Sequence, residues 1–354
     1  MNVLVTGAKG FIGSNLCEWL RPDVTLLTFE QGDSDQELRE RLAAADFVYH
    51  LAGVMRHEFE VVNVGLTRRI CEHLRGRNVP IVFTSSVQAV LNNPYGESKR
   101  RAEDVLGEYA LPAIVYRLTN VFGKWARPNY TSVVATFCHN IARGLEIEVA
   151  DPDRELTLVY IDDVVRSFLA DLGSVGSGLC YRHVEPRYHI TLGDLAQLIH
   201  SFHATIRMPD LRGFAGKLYG TYVSYLGEFS HALSQQIDNR GSLAEFIKAD
   251  SFGQIFVSRT KPGMTRGGHF HRTKAEKFLV LEGQAVVRLR HLVSGKVLTI
   301  EVCGEDMHSI DIAPGYVHSI ENVGDGDLIT LFWASEIFDP ENPDTYRESN
   351  VLPA

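Results

Sequence analysis

Thr6-Gly7-Ala8-Lys9-Gly10-Phe11-Ile12-Gly13 stands directly behind the apolar run Asn2-Val3-Leu4-Val5 and opens a helical stretch. Glycines at these three positions permit a tight turn, close approach of backbone to a pyrophosphate, and close packing of helix on strand. The N–H groups of the helix start then face the phosphates. A glycine-rich turn by itself is equally an ordinary tight turn. Its place at the end of a first strand makes Gly7, Lys9, Gly10, Phe11, Ile12 and Gly13 candidates for binding a dinucleotide. The tip of the next strand reads Leu27-Thr28-Phe29-Glu30-Gln31, with no Lys or Arg between Arg21 and Arg39. If Thr28 is the tip, a 2′-phosphate is tolerated. If Glu30 is the tip, NAD is favoured.

Outward from that turn, short apolar runs alternate with helical patterns. Strands are expected at 2–6, 24–29, 47–51, 81–84 and 113–117, with helices at 95–109, 162–172 and 191–202. Such alternation implies a parallel sheet covered by helices on both faces. Residues 211–226, rich in Gly and Tyr, read as a last helix or a tether. From about Glu228 the texture becomes all-β, with strands at 254–259, 277–281, 285–291, 296–302, 309–312 and 328–334 between Gly, Pro and Asp turns. The expected division is 1–227 and 228–354.

The length of 354 residues fits about two domains. A hydrophobic share of 45% supports ordinary cores. No apolar run approaches the ~20 residues of a membrane span, and the start lacks the basic region of a secretory leader. Five scattered cysteines without a CxxC pair point to reduced thiols and a cytoplasmic location. The net charge of -9 argues against a nucleic-acid partner.

Tyr95-Gly96-Glu97-Ser98-Lys99 begins a helix, so Tyr95 and Lys99 share one face. A cation there suits the phenol to proton transfer with a carbonyl oxygen. The fourth strand runs into Thr84-Ser85-Ser86, whose hydroxyls can bond the same carbonyl. A lone YxxxK occurs by chance on solvated helix faces; joined to the glycine turn and the Ser-Ser strand end it is specific. With His50-Leu51-Ala52-Gly53, Asn63, Arg117-Leu118-Thr119-Asn120-Val121-Phe122-Gly123 and Tyr160-Ile161-Asp162-Asp163-Val164, residues 1–226 resemble the extended short-chain dehydrogenase/reductases. The resemblance implies an NAD(P)-binding Rossmann fold, with Leu51, Ala52 and Gly53 joining the cofactor site. It implies that Ser86 polarises the substrate, Tyr95 is the acid/base, Lys99 holds the nicotinamide ribose and Asn120 lies near a sugar nucleotide. Two departures stand out. The gap from Ser86 to Tyr95 is short, and Val87-Gln88 replace the Asp-Glu of sugar 4,6-dehydratases, which disfavours dehydration.

In the second half, Gly263, His269, His271, Glu276 and Gly283 fit G-x5-H-x-H-x4-E-x6-G, and Pro314-Gly315-Tyr316-Val317-His318 with Asn322 fit P-G-x2-H-x3-N. His269 and His271 alternate along an expected strand and so share a face. Imidazoles plus a carboxylate suit Zn2+ or another divalent metal; the same residues in a metal-free barrel would bind substrate or each other. The spacing resembles the cupins. Asp238-Asn239-Arg240-Gly241, Glu245-Phe246 and the run from Lys274 to Val280 narrow that to the sugar-nucleotide isomerase cupins.

The ordered pair, Rossmann reductase then cupin β-barrel, resembles the bifunctional capsular-polysaccharide sugar-nucleotide enzymes. That resemblance rests further on Asn93-Pro94, Phe122-Gly123-Lys124-Trp125, Pro128-Asn129-Tyr130 and Phe338-Asp339-Pro340. It implies a homodimer acting on a UDP-activated 6-deoxy-4-keto amino sugar, UDP-2-acetamido-2,6-dideoxy-4-hexulose. The cupin would invert C3, and the reductase would reduce the C4 ketone with NADPH, NADH being the alternative. The product would be UDP-N-acetyl-6-deoxytalosamine, for N-acetyl-L-fucosamine and surface polysaccharide. Lys277, Glu282, Tyr316 and His318 are the candidate acids and bases of inversion. Two rival readings are an NAD-dependent UDP-sugar 4-epimerase with a non-catalytic cupin, and a non-catalytic sugar-nucleotide sensor, which would need no proton donor such as Tyr95.

Overall fold

A computed structural model describes residues 1–20, 24–56, 58–174, 176–203, 206–210 and 212–347. Leu211, which opens the expected last helix, and 348–354, the end of the expected second domain, lie outside the described residues. The chain divides into two units, Met1–His200 with Lys217–Gly227, and Ser201–Gly216 with Glu228–Ala354.

In the first unit the strands are β1 (Asn2–Thr6), β2 (Thr25–Phe29), β3 (Phe47–His50), β4 (Ile81–Ser86), β5 (Ala113–Leu118), β6 (Asn120–Phe122), β7 (Glu155–Tyr160), β8 (Leu179–Arg182) and β9 (Arg187–Thr191). The helices are α1 (Phe11–Leu20), α2 (Asp35–Ala44), α3 (Leu66–Leu74), α4 (Pro94–Glu108), α5 (Val133–Ile141), α6 (Ile161–Ala170), α7 (Leu192–Ser201) and α8 (Gly213–Val223), of which Ser201 and residues 213–216 fall in the second unit. The main sheet has the order β2-β1-β3-β4-β5-β8, and every pairing in it is parallel.

Central strands buried on both faces read as continuous apolar runs because each face needs its own core. Leu4, Val48, Phe83 and Val115 pack with α2, α3 and α4 on one face. Val3, Val5, Tyr49, Val82 and Ile114 pack with α1 and α6 on the other. The chain leaves β1 to one side for β2 and to the other for β3. That reversal opens a crevice at the carboxyl ends of β1 and β3, where ligands of such sheets bind.

The second unit holds β10 (Gln235–Asp238), β11 (Gly241–Ala249), β12 (Gly253–Thr260), β13 (Thr265–Phe270), β14 (Glu276–Glu282), β15 (Gln284–His291), β16 (Val297–Cys303), β17 (Ser309–Ile312), β18 (Tyr316–Asn322), β19 (Leu328–Ala334) and β20 (Tyr346–Arg347). They form two sheets, β10-β11-β12-β19-β14-β17 and β16-β15-β18-β13-β20. Both sheets contribute to one core that includes Phe278, Val287, Ile320 and Phe332. This is the cupin architecture expected from the resemblance. Segment Ser201–Gly216 belongs to this unit because Met208 and Lys248 N–H groups bond Lys248 and Ile206 carbonyls at 2.7 and 2.8 Å, extending the edge at β11.

Candidate active site and metal cluster

The glycine turn fits a dinucleotide for steric reasons. Gly7 has φ +71°, and a Cβ there would meet the Ala52 backbone at 2.9 Å. At Gly13 a Cβ would lie 2.1 Å from the Gly7 carbonyl oxygen. The turn is pinned by Gly7 N–H to Phe29 O at 2.8 Å and Gly10 N–H to Gly7 O at 2.9 Å. Leu51 and Ala52 lie against it, their N–H groups bonding Thr6 O at 3.3 Å and Thr6 Oγ1 at 3.2 Å. The Thr6 hydroxyl also meets Nδ1 of His50 at 2.8 Å. Burial holds the His50 ring near pKa 3, so it is a neutral structural link between Thr6 and Thr67. Asn63 fixes the loop after β3, bonding both the N–H and the carbonyl of Val54 at 2.9 and 3.0 Å and the Ser98 hydroxyl at 2.9 Å. The residues expected to bind cofactor thus converge on the crevice between β1 and β3.

Ser86, Tyr95 and Lys99 come together at the start of α4. Asn93 caps that helix through Gly96 N–H at 2.8 Å, with Pro94 at the first helical position. This sets where Tyr95 enters. Burial raises the Tyr95 phenol above its ordinary range, while a hydrogen bond with Ser86 opposes the rise. The phenol therefore stays protonated at neutral pH, as a proton donor requires. Lys99 is buried, its Nζ donating to Thr84 O at 2.9 Å, and burial pulls it down to about 8. Asn120 stands exposed on β6, its amide 3.5 Å from Thr157 O.

In the second unit His269, His271, Glu276 and His318 place one ligand atom each within 4.8 Å of one another. His269 and His318 face each other across β13 and β18. His271 lies one residue beyond β13, not on it, so strand alternation is not what aims it. Gly267 and Gly268, at φ +96° and +76°, form a bulge that re-aims His269. Asp344 O takes the His271 Nδ1 at 2.5 Å, which turns Nε2 inward. That Nε2 is buried without a well-formed hydrogen bond, 3.4 Å from Glu276 Oε1. Glu276 Oε2 lies 3.1 Å from His318 Nε2. Burial would raise the Glu276 carboxyl, but His271 and His318 outweigh it and hold it at about 2. Burial, reinforced by the neighbouring imidazoles, pulls His269 to about 4, leaving it neutral. A carboxylate and three imidazoles around an orphaned nitrogen fit a divalent cation.

His269, Glu276 and His318 line a cavity of about 190 Å³ together with Phe278 and Phe332. Of the proposed bases, Lys277 points out of the barrel and pairs with Asp311, and Glu282 is exposed at the far end of β14. The Tyr316 ring packs on His291 at 4.9 Å. Arg240 and Arg266, to which sequence gave no role, also line the cavity. In the sequence Arg240 stands within Asp238-Asn239-Arg240-Gly241, a run that carries no signal of a cavity.

The family model for the NAD dependent epimerase/dehydratase family matches residues 3–185, and that for the polysaccharide biosynthesis C-terminal domain matches 236–346. A Pseudomonas aeruginosa protein, UDP-2-acetamido-2,6-beta-L-arabino-hexul-4-ose reductase, is 44% identical over 366 aligned residues, covering 98% of both chains. The crystal structure of the capsular polysaccharide assembling protein CapF from Staphylococcus aureus superposes with a TM-score of 0.89 at 40% identity, covering 98% of this chain and 99% of that one. CapF with the inhibitor 3-isopropenyl-tropolone gives 0.86 at 38%, with the same coverage.

Proposed function

Since this chain belongs to the NAD dependent epimerase/dehydratase family and carries a polysaccharide biosynthesis C-terminal domain behind it, we propose a bifunctional enzyme that inverts C3 and then reduces C4 of a UDP-2-acetamido-2,6-dideoxy-4-hexulose. The observation that carries the reductase half is the placing of Tyr95 and the buried Lys99 one turn apart on α4, with Ser86 at the end of β4 beside them. A nicotinamide bound at the crevice would supply hydride to C4. The C4 oxygen then carries charge and must take a proton: Tyr95 donates it, Ser86 orients the oxygen, and the Lys99 ammonium favours charge developing on the phenol. The resemblance points to NADPH as hydride donor, the β2 tip to NADH. Full-length kinship to a protein named as a reductase disfavours the 4-epimerase reading.

The cupin half works first, for a reason of carbonyl chemistry. The C3 proton is acidic only while C4 is a ketone, because the enolate charge spreads onto that oxygen. Once C4 is an alcohol, a simple acid/base pair cannot invert C3. The cavity beside His269, Glu276 and His318 offers imidazoles and a carboxylate at one end and the guanidinium groups of Arg240 and Arg266, which suit an anionic sugar nucleotide. His269, His271, Glu276 and His318 would hold a divalent metal, zinc by donor type, whose charge would fix their protonation and orientation. A cytoplasmic homodimer completes the reading. None of the five cysteines forms a disulfide, and no described helix is long and apolar enough to cross a membrane. Light scattering tests the dimer.

The decisive experiment is isotopic. Full-length Tyr95→Phe protein, given the 4-keto sugar nucleotide in deuterated water without nicotinamide, should place deuterium at C3. The 4-hydroxy sugar should take up none. Absence of deuterium at C3 would remove the epimerase half.

A further inference from the structure

The tip of β2 is resolved by register. Phe29, its last residue, pairs with Thr6, the last residue of β1. Glu30 is therefore the first residue past the strand, level with the glycine turn. Its Oε1 accepts the backbone N–H of Lys9, inside that turn, at 2.8 Å. The carboxylate is thus held against the very loop that approaches the dinucleotide. Of the two tips open to the sequence, Thr28 lies within β2 and Glu30 at its end.

We infer that this chain takes NADH in preference to NADPH, and that Glu30 is the residue that sets the choice. The inference rests on the reading of the first unit as a nicotinamide-dependent reductase.

An acid at this place accepts from the ribose 2′-hydroxyl, whereas NADP sites place an arginine nearby. With Oε1 turned to Lys9, Oε2 remains for the ribose diol. A 2′-phosphate there would set a doubly charged group against a carboxylate. The surrounding charges do not reverse this. Asp33 adds a second carboxylate, bonding Glu30 N–H at 2.9 Å. Arg41, on α2, is engaged by Asp33 and by Glu37 at 3.3 Å. Residues 24–38 contain no Lys or Arg. Lys9 brings one ammonium from the turn, against the carboxylates of both Glu30 and Asp33. Like charges at such separations in a partly exposed crevice cost on the order of tenfold to a hundredfold in affinity.

The test is binding, with no substrate present. The purified full-length protein is titrated with NADH and with NADPH, following nicotinamide fluorescence. NADH should bind at least about tenfold more tightly. In Glu30→Gln, whose amide oxygen can still accept from Lys9, NADPH should tighten on the order of tenfold while NADH weakens a few-fold. The ratio of the two constants within one preparation does not depend on how much of the variant folds. Equal or tighter binding of NADPH by the parent overturns the inference and leaves the reductase reading standing. A Glu30→Gln change that shifts both constants by the same factor overturns the role of Glu30. Binding of neither nucleotide overturns both the inference and the reductase reading.

Discussion

Replacing Arg117 with Met should loosen the helix that carries Tyr95 and Lys99. Glu103, one turn beyond Lys99 on α4, has a side chain only 1% exposed. Arg117 grips it twice, Nε to Oε1 at 3.0 Å and Nη2 to Oε2 at 2.6 Å. Two hydroxyls also donate to it, Ser85 to Oε1 and Tyr181 to Oε2 at 3.2 Å. Breaking a buried ion pair by removing one partner costs about 3–5 kcal/mol, because the remaining charge stays desolvated. The two hydroxyls survive in Arg117→Met, and the Arg117 side chain is 28% exposed, so the loss belongs at about 3 kcal/mol. In a unit of roughly two hundred residues, each kcal/mol is worth about 2–4 °C. Thermal unfolding should therefore drop by about 6–12 °C. The double variant Glu103→Gln, Arg117→Met removes the stranded charge and should recover at least about 1 kcal/mol relative to the sum of the single losses. The reasoning fails if Arg117→Met unfolds within about 2 °C of the parent, or if the two losses simply add.

Tyr95→Phe should lose about 10²–10⁴-fold in reduction while its nicotinamide dissociation constant stays within a few-fold of the parent's; unchanged turnover would remove Tyr95 from the chemistry. Lys99 is charged below its lowered pKa of about 8 and neutral above it, so kcat/KM for reduction should fall as pH rises through about 8, and a flat profile from pH 7 to 9 would contradict that role. Elemental analysis should find about one divalent metal per chain, lost in His269→Ala; full activity in a metal-free, folded protein would mean that the cluster serves the substrate instead. Asp344→Ala removes the carboxylate that takes the N–H groups of Arg272, Thr273 and Lys274, each at 3.0 Å. It should weaken metal retention about 10–100-fold, measured by competition with a chelator, and unchanged retention would show that the turn needs no clasp.

The glycine turn and the Tyr95–Lys99 pair are legible in sequence because their geometry is local. A strand end, three glycines and a four-residue spacing on one helix each decide a position without help from distant chain. Some of the strands that escaped reading are of another kind. β10 is exposed along its whole length, and β8 is exposed in its last three residues, so neither carries an alternating pattern. At β13 a strand is expected, but two consecutive glycines and a bulge interrupt its period and His271 falls beyond its end. The metal cluster is intermediate. Its four residues stand out by spacing, yet what aims His271 is Asp344, 73 positions along the chain, and nothing near either residue announces the pairing. On β14 alternate residues face opposite sides, and Glu276, Phe278 and Val280 are buried while Lys277 is exposed. If Glu276 faces the cluster, its neighbour Lys277 must face away, by the period of two along an unbroken strand. A base for C3 inversion must therefore come from the cavity wall itself. Of the candidates, His318 lies there, on the strand opposite His269, but its Nε2 is turned to the metal cluster; Lys277 does not lie there at all.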